Sequence, residues 1–287
     1  MDNNGNGLLS SRAMLAILSI SGWSGEILDH NATNEFAEAK GAETQMVKLR
    51  KKLLEGDELF RAIHVEDSRA RASHKAQTLP WSDSGARILT AANYFNYVKL
   101  MTEHRISFLG AVEKFIQNSG DSFVKSLGKL GQLGNEKEFP SVDRLKAKYN
   151  FKLRFAPLPD ANDFRVTLTE DQVDAIKQQI TSDLHATIGD AVRDLYLRLH
   201  TEVSGLADSL SNPRGKYKSR IEHIRETCDI VSRLNVTNDK QLENFRLDIL
   251  QKLGNEDGDF LRKNEAARHS TAFQAQKIAD DMAAFMK

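Results

Sequence analysis

Residues 79–97 read LPWSDSGARILTAANYFNY, and the chain sorts itself on either side of them. Pro80 biases Leu79 away from the α region, so a helix arriving here must stop. Trp81 is one of 2 tryptophans, and Ser82-Asp83-Ser84-Gly85 has the composition of a tight turn carrying hydroxyl and carboxylate caps. A charged, proline-free segment precedes the stretch and amphipathic helical patterns follow it. It reads as a joint between two parts of the molecule.

Working outward, 287 residues suffice for one or two domains with a sizeable core. Charged residues make up 28% and apolar residues 40%, with only 5 prolines, a balance that favours long solvated helices. Lys+Arg and Asp+Glu are 40 each, so no global field draws the chain to DNA or a membrane, and any nucleic-acid affinity must be local. The single cysteine, Cys228, excludes an internal disulfide and fits a reducing cytosol. The apolar run 13–20 is too short to span a bilayer and lacks the flanks of a secretory signal. A cytoplasmic protein of a bacterial host, without membrane partners, is the expectation.

Upstream of the joint, residues 13–20 fit either a buried strand or an apolar helical turn, since periodicity cannot arbitrate over so few positions. Helices are expected over 26–40, capped at Ser24 and stopped by Gly41, then over 42–55 and 57–77. Downstream, Tyr94, Tyr97, Met101, Phe108, Val112 and Phe115 form a helical stripe within 91–118. Shorter helices are expected over 122–133 and 142–149. The stretches 151–155 and 164–168 alternate like the arms of a β-hairpin around a proline-containing linker. A stripe from Val173 to Leu210 marks the longest helix, about 42 residues and roughly 60 Å at helical rise. Its steps do not demand a left-handed supercoil. Residues 212–215 reverse the chain, and a second stripe runs from Tyr217 to Leu234.

The expected fold is therefore mainly α: an elongated antiparallel helical bundle with a small β-hairpin or three-stranded sheet insertion. The expected parts are 1–78, a helical segment with one strand; 79–234, the core; and 235–287, loosely docked C-terminal helices.

Chemistry-bearing patterns are sparse. The histidines are scattered without the i, i+4 pairing of a helical metal site, and no metal or cofactor is expected. Gly128, Gly131 and Gly134 form neither a Walker loop nor a dinucleotide fingerprint. Cys228 sits on an apolar stripe, where packing is the better reading than nucleophilic chemistry. Two surface sets remain. Arg144, Lys146, Lys148, Lys152 and Arg154 are interleaved with Tyr149, Phe151 and Phe155, a composition seen in single-strand binders, opposed only by Asp143. Trp81, Asp83, Arg87, Asn93 and Tyr94 form a distinctive set for docking a partner, weighed against a plain role in packing and helix capping.

Leu79-Pro80-Trp81, Asp83, Gly85, Arg87-Ile88-Leu89 and Asn93-Tyr94 resemble an uncharacterised family of tailed phages and integrative elements. The resemblance takes in Ile20–Gly25 and Gly41 upstream, and Phe139-Pro140-Ser141, Phe155-Ala156-Pro157 and Phe164-Arg165-Val166 downstream. It covers the chain to about Leu234 and contains no catalytic motif. Members are often encoded beside a MoxR-type AAA+ ATPase and near recombination or single-strand-binding genes. The resemblance thus implies a non-enzymatic accessory role in mobile-element DNA metabolism, with an AAA+ ATPase as partner and self-association as a second expectation. The alternative is a protein that binds single-stranded nucleic acid through the basic–aromatic stretch 144–155.

Overall fold

The computed structural model describes residues 11–81, 85–159, 170–212 and 214–286. Its elements, in order, are β1 (Ala13–Ser21), β2 (Glu26–Leu28), α1 (His30–Lys40), β3 (Arg50–Lys52), α2 (Glu58–Ala76), β4 (Leu79–Pro80), β5 (Ala86–Thr90) and α3 (Tyr94–Gln117). There follow α4 (Ser119–Leu130), α5 (Val142–Lys148), β6 (Asn150–Pro157), α6 (Glu170–Leu210), α7 (Tyr217–Leu234), α8 (Lys240–Ile249), α9 (Gly258–Lys263) and α10 (Glu265–Phe285). A single π-helical turn, Leu250–Gly254, continues α8. The fold is mainly helical, as its stripes imply, with a four-stranded antiparallel sheet ordered β4-β5-β1-β6 rather than an insertion of two or three strands. None of the described helices is long and apolar enough to cross a membrane.

The chain forms two compact units, neither of them a continuous stretch. One comprises Met1–Ile17, Lys75–Tyr97 and Arg154–Lys287; the other comprises Leu18–His74 and Val98–Leu153. The consecutive parts expected from sequence are replaced by interleaved ones, and each passage between units falls inside a regular element: β1, α2, α3 or β6.

In the first unit, residues 13–17 pair antiparallel with β5, Ala13 opposite Thr90 and Ile17 opposite Ala86. Ala13, Leu15 and Ala16 are all buried, so both faces of this run are covered; an apolar run covered on both faces is what a central strand shows, and it settles the strand-or-helix ambiguity. The Leu79–Tyr97 stretch is not a joint. It is a short hairpin, β4 on β5 with Leu79 opposite Ile88, running into α3, and it sits wholly inside this unit. From Leu184 onward α6 supplies the core, with Leu195, Leu199, Val203, Leu206 and Leu210, whereas Val173, Ile176 and Ile180 are only partly covered. Tyr217, Ile221, Ile224, Cys228, Val231 and Leu234 return along it on α7. Helix α10 is not loosely docked: Ala275, Ile278, Ala279 and Met282 are buried in the same core, the alanines allowing close approach. The proposed hairpin arm 164–168 lies outside the described residues; its partner 151–155 is part of β6.

The carbonyls at the end of α2 are satisfied from three directions. Arg198 donates to the carbonyls of Ala76 (2.5 Å), Lys75 (3.1 Å) and Thr78 (2.7 Å). Arg87 donates to the Thr78 hydroxyl at 2.7 Å and the Thr78 carbonyl at 3.2 Å. Asn93, fully buried, donates to the Gln77 carbonyl at 2.8 Å and accepts from Arg233 at 2.9 Å.

In the second unit, one of the expected helices is shortened and another fails. Residues 26–28 are strand, and α1 begins only at His30, capped by Asp29, which accepts from the Ala32 amide at 3.0 Å; Ser24 instead closes the preceding loop onto Glu26. Gly41, at φ 62°, ends α1 as expected. The helix expected over 42–55 is a 3-10 turn at Thr44–Met46 followed by β3, which pairs with β2 so that Lys51 faces Ile27. The reason is Lys51. Its ammonium lies 3.0 Å from Asp29 and 2.8 Å from Glu138 and donates to the Leu133 carbonyl at 2.7 Å, with its side chain 9% exposed. A helix would turn this side chain with Lys48, Arg50 and Lys52 into water. Around this triad packs an aromatic core. Trp23 meets Phe60 at 5.8 Å and Phe123 at 6.0 Å, Phe60 meets Phe115 at 5.5 Å, and Phe123 meets Phe139 at 4.6 Å.

Two outcomes follow from these networks. Arg198→Ala removes one charged donor from three carbonyls, of which Arg87 still serves those of Lys75 and Thr78, and should cost about 1–3 kcal/mol in chemical denaturation, with Arg198→Lys recovering only part because one ammonium cannot span them. Lys51→Met leaves two carboxylates without their cation and should cost about 3 kcal/mol. Hydrogen bonds from the Ala32 amide and Lys51 hold Asp29 below the usual carboxylate range. Lys51 is raised above the usual lysine value: burial opposes its charge, but Glu138 and Asp29 outweigh it. The Asp29 contribution is present above an ordinary carboxylate pKa and lost as pH falls through its lowered value. The Lys51 contribution is lost only as pH rises through its raised one. Stability in the wild type should therefore fall at both extremes, and the Lys51→Met variant should lose the alkaline limb.

Candidate functional site

The residues expected to dock a partner do not form one exposed surface. Trp81 is half-buried and packs against the first unit's core, and Asp83 lies outside the described residues. Arg87 and Asn93 are turned inward onto the end of α2. Only Tyr94, half-buried, leads to the surface. Its ring lies 5.5 Å from Phe95 and 5.6 Å from Phe155, and Phe155 lies 6.5 Å from the buried Tyr97. Phe95 is 83% exposed and Phe155 40%. Phe95 was missed because it stands off the apolar stripe of its helix. An aromatic residue on the wet face was the available signal, and helical periodicity discards it.

The basic set is exposed. Arg144, Lys146 and Lys148 project from α5, and Lys152 and Arg154 occupy alternate, exposed positions of β6. None of the five forms an ion pair among the described residues. Arg154 belongs to the first unit and the other four to the second. The aromatics interleaved with them are mostly occupied. Phe151 is buried 5.9 Å from Phe108, and Tyr149 stacks over Gly22, its phenol pushed up by burial. Of the three, Phe155 is the exposed one, packed on Tyr94 and Tyr97 on the opposite face of the strand from Lys152 and Arg154, because successive side chains alternate.

Cys228 is buried, its thiol pushed up to about 12 by burial, with its Sγ 3.9 Å from the Arg246 carbonyl. A thiol so shifted carries no thiolate near neutrality.

A feature invisible in the sequence lies in the second unit. Three adjoining hollows run beside the first half of α2: one of about 570 Å³ between the 54–59 turn and α4, one of about 410 Å³ over Phe60, and one of about 160 Å³ near Tyr149. The first two share Leu54 to Asp57, and the last two share Ser24 and His64. Asp121, Ser122, Lys125, Ser126 and Lys129 form one wall of the largest, at the spacing that puts them on one face of α4. No motif announces this cleft, because its walls come from stretches some sixty residues apart.

No family model, curated protein or solved structure matches the chain.

Proposed function

We propose that this chain is a docking protein that performs no reaction of its own and serves as an accessory in the DNA metabolism of a phage or mobile element, in the cytoplasm of a bacterial host. The observation that carries the docking reading is the aromatic patch on the first unit: Phe95, 83% exposed, with Tyr94 and Phe155 in ring contact. Clustered exposed aromatics are costly in water and are the side chains that dominate protein interfaces. The patch is set on rigid backbone, since Asn93 immediately before it is fully buried and bonded to Gln77 and Arg233. The family resemblance supplies the mobile-element setting and the partner to try first, a MoxR-type AAA+ ATPase. A second copy of this chain is the other occupant to examine.

The test is a binding titration of the chain against that ATPase, with Phe95→Ala and the Phe95→Ala/Phe155→Ala pair as variants. Both side chains are exposed, so the fold should persist by circular dichroism. Phe95→Ala should raise Kd roughly thirtyfold, the effect of a 2 kcal/mol hot spot. No complex at micromolar concentration, or equal affinity in the double variant, would sink this partner. A sedimentation measurement of both proteins separates self-association from partner binding.

A second reading rests on the four exposed cations Arg144, Lys146, Lys148 and Lys152 of the second unit, opposed locally only by Asp143: binding of single-stranded nucleic acid. Affinity for an oligonucleotide should then fall steeply with salt, and Lys146→Ala/Lys148→Ala/Lys152→Ala should flatten that slope by roughly two to three counterions. A salt-independent signal, or an unchanged slope in the triple variant, counts against it.

A further inference from the structure

Helix α3 has two faces, and its own chain covers one of them. In the part that belongs to the second unit, Met101, Phe108, Val112 and Phe115 are buried. The opposite face carries Lys99, Thr102, Ile106, Leu109 and Glu113, all exposed. Lys99, Ile106 and Glu113 recur every seventh residue, and Thr102 and Leu109 each fall three residues after one of them. That is the spacing of a helix that lies along another helix. Ile106 is 67% exposed and Leu109 40%, so the middle of the stripe is apolar and wet. Its ends carry opposite charges. Lys99 forms no ion pair among the described residues, and Glu113 meets the Gln117 amide at 3.3 Å and no cation. Gly110 is the second observation. Glycine inside a helix is destabilising, yet no neighbouring group among the described residues lies within 4 Å of where its β-carbon would stand, so packing within the chain does not call for it.

We infer that this face pairs with the same face of a second copy of the chain, the two α3 helices lying antiparallel about a two-fold axis. Such a contact requires a surface complementary to itself. The stripe meets that condition in one direction only. With the helices antiparallel and the axis passing between Ile106 and Leu109, Ile106 of each copy meets Leu109 of the other. Lys99 of each then comes within one helical turn of Glu113 of the other. With the helices parallel, Lys99 would face Lys99 and Glu113 would face Glu113, like charges at both ends. Lys99 and Glu113 stand about 21 Å apart along the helix, so the two ion pairs bracket the apolar centre. Gly110, one turn from Ile106, lets the backbones approach at the crossing. Two four-turn helix faces cover less than the roughly 800 Å² per partner of a standard interface, so the dimer is weak, with Kd on the order of 10–100 µM.

Sedimentation of the full chain from about 1 µM to about 500 µM tests this, with no ATPase present, so that its outcome is separable from that of the docking titration. The mass should rise with concentration towards twice that of the chain. Ile106→Asp sets two like charges at the axis and should weaken the dimer roughly thirtyfold or more. The position is 67% exposed, so the fold should persist by circular dichroism. Lys99→Glu and Glu113→Lys each make both end pairs repulsive and should weaken the dimer about tenfold, whereas an equimolar mixture of the two variants should dimerise like the wild type. In a parallel pairing either single variant would change nothing, one like-charge contact replacing another. A single-chain mass up to about 500 µM, a dimer that Ile106→Asp leaves intact, single charge variants that dimerise like the wild type, or a mixture no tighter than its components would each overturn the assignment.

Discussion

The end of a helix leaves carbonyls that must be paired, and in this protein the way they are paired organises everything around them. The carbonyls of residues 75–78 receive Arg198 from α6, Arg87 from β5 and Asn93 from the turn before α3. Asn93 in turn accepts from Arg233 at the end of α7, whose carbonyl receives the Thr90 hydroxyl at 2.7 Å. Helix, sheet and two long helices are thus tied at one polar knot inside the first unit. Two guanidiniums stand close there: burial and the neighbouring Arg198 both disfavour the charge on Arg87, with Asp194 partly offsetting them. The arrangement is held by the sum of its hydrogen bonds, since bare carbonyls in this setting would be worse.

The second unit answers a similar problem differently. Its centre is aromatic, edge-to-face and tilted contacts linking Trp23, Phe60, Phe115 and Phe123, and the inward-turned charge of Lys51 is surrounded by two carboxylates and a carbonyl. Gly25, at φ 66°, lies so close to Phe60 that a β-carbon would stand 2.8 Å from the ring, so the loop carrying Trp23 is pressed against the same centre. A rigid floor of this kind is what allows a polar cleft to stay open above it.

Legibility in the sequence followed the physics of each signal. Residues 170–210 and 217–234 were readable because a single stripe repeats over many turns, and their buried faces are those stripes. Residues 42–55 misled because Met46, Leu49 and Leu53 have helical spacing by coincidence; Met46 is 81% exposed and Leu53 fully buried, so they share no face. Alanine in α10 was discounted for weak hydrophobicity, although small residues are what close packing there requires. Arg87 and Asn93 were recognised as unusual, but sequence does not say whether a polar side chain turns outward or caps a distant helix. The cleft could not be read at all, being made of ordinary residues from two separate stretches.

The interleaving of the two units also sets an order of assembly. The second unit has all of its residues once position 153 has been made, so it can complete while synthesis continues. The first strand of the other unit, 13–17, and its partner β5 are made early, but their core is filled from α6, α7 and α10, ending at Phe285. Residues 13–17 therefore wait for α10. A ribosome releasing a truncated product would deliver one finished unit attached to the unsatisfied edge of the other.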